Sequence, residues 1–197
     1  MQISNKAKLP LRGSVSIKVT DKNGKVIRVS NPNSIIVDST RLILAQLIPS
    51  SLVSSVGGTI VKPGRPTVTL DTDGPTNANS IGYIRLGYTT ADTLPGNASA
   101  GPEDSSMVSS SVTTLKISEA QATYDSLNFS ASVSVTSNTS NRKYYEAALY
   151  TVGQGNESVP ESPDTSTMLM FAHQVHSLIS APEGATITYD WTITIPE

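Results

Sequence analysis

The clearest pattern in the chain lies near its end, where Ala185 to Ile195 reads Ala-Thr-Ile-Thr-Tyr-Asp-Trp-Thr-Ile-Thr-Ile. Ala185, Ile187, Tyr189, Trp191, Ile193 and Ile195 are apolar, and Thr186, Thr188, Asp190, Thr192 and Thr194 between them are polar. Period two over such a length predicts a strand with one buried and one wet face. The β-branched and aromatic residues that fill it favour the same conformation. Trp191, the single tryptophan, falls at the middle of the apolar side. A strand this long needs neighbours in its sheet and a second layer beneath. We therefore expect it at or near the centre of a sheet.

The same pattern recurs upstream. Val15, Ile17 and Val19 alternate with Ser14, Ser16, Lys18 and Thr20, the stretch Asp21-Lys22-Asn23-Gly24 reads as a turn, and Lys25 to Val29 returns as the second arm of a hairpin. Leu127 to Val135 alternates almost as regularly as the last strand. Ile81 to Tyr88 is apolar on both faces, which predicts an interior strand or one covered by a partner. Ile60–Val61, Thr67 to Leu70, Val112 to Ile117, Tyr144 to Tyr150 and Met168 to Val175 are further strand candidates. One helix is predicted, capped by Asp38 and Ser39, apolar nearly all round from Thr40 to Ile48 and stopped by Pro49. The segments Asp71–Ser80, Thr89–Ser106 and Thr151–Thr167 are polar loops, and the last two are long enough that a contact or a function is expected of them. Many short strands with one helix predict a mainly β fold: an antiparallel β-sandwich, jelly-roll-like, with a short buried α-helix at about 39–48. Residues 1–12 lack any period and read as an arm, leaving 13–197 as one domain.

Composition changes the picture in two places. With no cysteine, disulfides and thiol chemistry are excluded. The net charge of −2 hides an asymmetry, for Lys6, Lys8, Arg12, Lys18, Lys22, Lys25 and Arg28 face the single acid Asp21 in the first 28 residues. Such a segment either meets an acidic neighbour or is a solvated hairpin. Roughly a quarter of the residues are Ser or Thr, many inside the strand patterns, which points to polar outer faces on the sheets. No apolar run is long enough to cross a membrane as a helix, and Lys6, Lys8 and Pro10 interrupt any signal-peptide core.

Candidate chemistry is sparse. His173 and His176 stand three apart in a strand pattern and so point to opposite faces, which argues against a shared metal and for ordinary half-buried histidines. Asp71, Asp73, Asn77 and Asn79 supply oxygen ligands of the kind calcium takes, but without a distal bidentate glutamate, and a solvated turn is the better reading. Glu146 sits in an apolar strand. Such a carboxylate either works as an acid or, the preferred reading, pairs with a cation or with backbone donors of a neighbouring loop. A glycosidase would need a second carboxylate near it, for which Asp190 is the candidate. We expect no catalytic residue, cofactor or metal, because no nucleophile elbow or phosphate-binding glycine loop occurs.

Taken in order, Asn33 to Ile48, Tyr-Ile-Arg-Leu-Gly-Tyr with its Ala-Asp-Thr-Leu loop at 81–94, Leu127 to Val135, Tyr-Glu-Ala-Ala-Leu-Tyr at 145–150, Met168 to His173, and Ile187 to Ile195 resemble a group of tailed-bacteriophage virion proteins. These are head-decoration, collar, and tail-fibre or baseplate subunits. The resemblance implies a non-enzymatic structural subunit, assembled in a host cytoplasm into a virion. Its implied partners are copies of itself, in trimers for example, and the major capsid or tail proteins, with neither nucleic acid nor membrane. The rival expectation is a carbohydrate-binding module for host attachment, which would need an exposed aromatic platform.

Overall fold

The structure is a computed structural model that describes residues 11–36, 59–60, 68–69, 81–101, 104–122, 126–152, 165–166 and 168–194. The expected helix at 39–48, residues 1–10 of the expected arm and the Asp71/Asp73 loop lie outside the described residues. Among the described residues there is no helix. The fold is mainly β, in two antiparallel sheets, with a separate two-residue pair formed by β4 (Thr59–Ile60) and β5 (Val68–Thr69).

The first sheet grows around the C-terminal pattern. Strand β12 (Thr186–Thr194) lies between β1 (Arg12–Thr20) and β9 (Ser126–Ser134), so its central place is as expected. In register, Trp191 stands between Val15 and Phe129, and it is fully buried. The opposite faces carry a polar ladder across the strands. Ser130 donates to Asp190 (2.7 Å), Thr192 donates to Asn128 (2.8 Å), and the hydroxyls of Ser132 and Thr188 share a bond of 2.9 Å. Strand β8 (Glu119–Ala122) is the edge beside β9, whereas β2 (Val26–Ser30) lies beside β1 and its Arg28 donates to the Leu178 carbonyl of the second sheet at 3.1 Å. The β1–β2 turn is closed by Asp21, whose side chain accepts from the N–H groups of Asn23 and Lys25, and Gly24 takes the positive φ (83°) that the turn requires. Because β1 already starts at Arg12, paired with Thr194, the sheet begins one residue inside the segment read as an arm.

The second sheet runs β7 (Val112–Lys116), β6 (Ile81–Thr89), β10 (Lys143–Thr151), β11 (Met170–Ile179) and β3 (Asn33–Ile36). Strand β3 joins the two sheets. Its first residues pair with β1, and Ile35 and Ile36 pair with β11. At the other side, the chain leaves β7 in the second sheet and enters β8 in the first within three residues. Side chains of both sheets, from Val15, Ile17 and Trp191 to Leu86, Ala147 and Leu149, meet in one apolar cluster.

Strand β10 is buried along nearly its whole length, on both faces. Ala147 and Leu149 enter the shared cluster, whereas Ala148 and Tyr150 join Tyr83, Met168 and Met170 in a second cluster on the outer face. The register shifts on both sides of β10 between Tyr144 and Glu146. Such an irregularity re-aims side chains, and here it turns Tyr144 inward while Glu146 stays with the outer set. Met107, from the long segment that follows β6, packs on the outer cluster. Strand β6, second in its sheet, is thus interior and covered by the chain itself.

Candidate functional site: a buried carboxylate–histidine clamp

On the outer face of the second sheet, β10 and β11 bring Glu146 and His173 together, both fully buried. The Glu146 carboxylate accepts from the backbone N–H of Val108 (2.7 Å, to Oε1), from that of Ser109 (2.8 Å, to Oε2), and from Nε2 of His173 (2.7 Å, to Oε1). On its other side, Nδ1 of His173 lies 2.6 Å from Oδ2 of Asp104, which also accepts from the Gly101 N–H at 2.6 Å. The imidazole is therefore held between two carboxylates. Carboxylate oxygens only accept, so both ring nitrogens donate and the ring is the imidazolium. Burial works against that charge, yet the bonds and charges of Glu146 and Asp104 outweigh it and raise the pKa of His173 above the ordinary value.

The loop joins through more than charge. The Ser109 hydroxyl contacts the carbonyls of Ser111 (2.8 Å) and Tyr88 (3.2 Å), which holds the loop to the end of β6. Gly87 lies directly beneath. A Cβ there would stand 2.6 Å from Glu146 Oε2 and 2.6 Å from Ser109 Cβ, so the close approach of loop and strand needs a glycine. Beside the clamp, Arg85 lies over the Tyr150 ring at 5.1 Å. Burial pushes the Tyr150 phenol up to about 12 despite Arg85.

The two histidines do lie on opposite faces, but they are buried rather than half-buried. His176 looks into the core, where its Nε2 is 3.4 Å from the Tyr189 hydroxyl and its Nδ1 is 2.9 Å from the Ser177 carbonyl. Desolvation pushes its pKa down to about 4. One strand thus carries two histidines shifted in opposite directions. The reason is that two carboxylates outweigh desolvation at His173, whereas at His176 desolvation dominates and the charge of Arg28 adds to it.

Of the sequence candidates, Glu146 has the loop backbone donors expected of it, and it has His173 as well. The structure does not bring Asp190 to it, since Asp190 is exposed on the outer face of the other sheet with Ser130. Asp104, Ser109 and Gly87 gave no motif. The signals for them were a lone carboxylate in an apolar strand and a loop too long for its connection. Chemically the arrangement is closed. Each ring nitrogen of His173 is engaged, both Glu146 oxygens accept from donors, and a general base needs a free lone pair facing a substrate. Among the described residues no three acidic or histidine side chains could hold a metal ion. What the group does is fasten Gly101 and residues 104–111 onto the second sheet. No protein-family model matches the chain, and no curated protein or solved structure matches it.

Proposed function

We propose that the protein is a non-enzymatic structural subunit of a tailed-phage virion, a β-sandwich of jelly-roll type that binds neighbouring copies and the capsid or tail surface. The observation that carries this reading is an exposed apolar patch on β2. Four large aliphatic side chains are exposed among the described residues, and three of them, Val26 (42%), Ile27 (49%) and Val29 (56%), lie on β2. Apolar side chains exposed side by side mark a surface for association. Assembly through buried area is what a structural subunit needs. The ordered resemblance to virion subunits supplies the kind of particle, and the segments that carry it fall on β3, β6, β9, β10, β11 and β12, apart from residues 37–48, which lie outside the described residues. The most elaborate polar group of the described residues supports the same reading, because its bonds hold the chain's own loop. The carbohydrate-binding alternative is less well supported. Trp191, Tyr83, Tyr144, Tyr145, Tyr150 and Tyr189 are all buried, so the described strands offer no aromatic platform from these residues.

The test is the composition of intact particles. Phage carrying this sequence, purified on a density gradient and analysed by quantitative mass spectrometry, should contain the protein at a fixed number of copies per particle. Its presence in the lysate but absence from the particles would overturn the reading.

A further inference from the structure

We propose that Met107 is an oxidation site and that its sulfoxide releases residues 104–111 from the second sheet, an inference independent of the proposed structural role. Methionine occurs four times in the chain, at Met1, Met107, Met168 and Met170, and cysteine not at all. With no thiol to compete, the thioethers are the groups that a hydroperoxide attacks. Three of the four meet on the outer face of the second sheet. Met168 and Met170 lie in the outer cluster with Tyr83, Ala148 and Tyr150, and Met107 packs on that cluster from the segment above. Thioether sulfur packs well against aromatic rings, and Tyr83 and Tyr150 supply them.

Burial grades the three. Met170 is 1% exposed and Met168 7%, whereas Met107 is half-buried on a segment whose Ser105, Ser106 and Ser110 are exposed. A peroxide therefore reaches Met107 first. In that step the sulfur lone pair attacks one peroxide oxygen, the O–O bond breaks and an S=O bond forms. With hydrogen peroxide the other oxygen leaves as water, so the sulfur gives up two electrons and the peroxide takes them. The sulfoxide is polar where an apolar chain packed, and it is better satisfied in water than against the cluster. Met107 also stands next to the tether. The Val108 and Ser109 N–H groups donate to Glu146, and Asp104 meets His173 three residues upstream of Met107. Turning Met107 outward removes the apolar contact between these bonds and pulls on Val108. Met168 and Met170 are then uncovered and become the next targets. Methionine sulfoxide reductases return the sulfoxide to the thioether, so the release is reversible.

The experiment treats the full chain with hydrogen peroxide and follows each methionine by peptide mass spectrometry, with amide exchange measured on the same samples. Sulfoxide should form several-fold faster at Met107 than at Met168 or Met170. In the oxidised protein the amides of residues 104–111 should exchange at least about tenfold faster, while those of β12 keep their protection. Met107→Leu keeps the apolar volume without the sulfur. It should show native exchange before treatment, hold the segment down under peroxide and slow the oxidation of Met168 and Met170. Met107→Gln, which sets a polar group at the same place, should open the segment without peroxide. Equal oxidation rates at the three residues overturn the assignment of Met107 as the site. A Met107 sulfoxide that leaves exchange in residues 104–111 unchanged, or a segment that peroxide opens equally in Met107→Leu, overturns the release.

Discussion

Glu146 shows how one side chain can hold a loop in place. Its two oxygens accept three hydrogen bonds, two of them from consecutive backbone N–H groups, and the carboxylate itself is fully buried. Glu146→Gln keeps the shape but replaces one acceptor oxygen with a donor, which then faces a donor. We expect a loss of about 3–5 kcal/mol, the usual result of leaving a buried charge without its partner, measured by urea denaturation. Gly87→Ala tests the same contact sterically, since its Cβ would meet Glu146 and Ser109 at 2.6 Å. Overpacking of this kind costs about 1–3 kcal/mol, and the mutant should lose that much stability in the same denaturation assay. Trp191→Ala, at the centre of the first sheet, should cost about 3–5 kcal/mol, read from the same curves.

At the scale of elements, the segment after β6 is attached to the second sheet through its side chains. Lys143 at the start of β10 pairs with Asp92, Glu146 takes Val108 and Ser109, and His173 takes Asp104. Removing one tether should loosen the segment without unfolding the strands beneath it, because local opening has its own free energy. Asp104→Asn gives up a charge-assisted bond worth about 1.5–3 kcal/mol. Amide exchange in residues 104–111 should then accelerate by about tenfold to a hundredfold, while the amides of β10 and β12 keep their protection. Equal acceleration throughout would mean that the segment and the sheets unfold as one unit.

For the whole molecule the two histidines define a pH window. The His173 pKa is raised on folding, so its contribution is complete below the ordinary value of 6.5 and is lost as pH rises through the folded value. That of His176 is lowered to about 4, so between 6.5 and about 4 the unfolded chain binds a proton that the folded chain refuses. Stability falls as pH drops through that interval, by about 3 kcal/mol in all. The melting temperature should therefore peak between the two regions and decline on both sides. His176→Phe should flatten the acid limb between 6.5 and 4, and His173→Gln the alkaline one. A limb that persists in its variant would assign the titration to other groups.

Local pattern was enough for much of this fold. Strands β1, β2, β6, β9, β10 and β12 were legible because alternation or a continuous apolar run is a property of neighbouring residues in the chain. Which face of β12 is buried followed in the same way, as did the Gly24 turn and the opposite directions of His173 and His176. Strands β3 and β8 were not legible. The first is four residues long and pairs with two sheets, and the second, Glu-Ala-Gln-Ala, is an exposed edge without an apolar period. The sequence marked Glu146 as a carboxylate in need of partners, and it marked the loop as too long to be idle. Only the tertiary structure joined the two, because Glu146 and Ser109 stand 37 residues apart, and His173 and Asp104 stand 69 apart. A pairing over that distance is chosen by the strand order that sets β10 between β6 and β11, and no local pattern records that order.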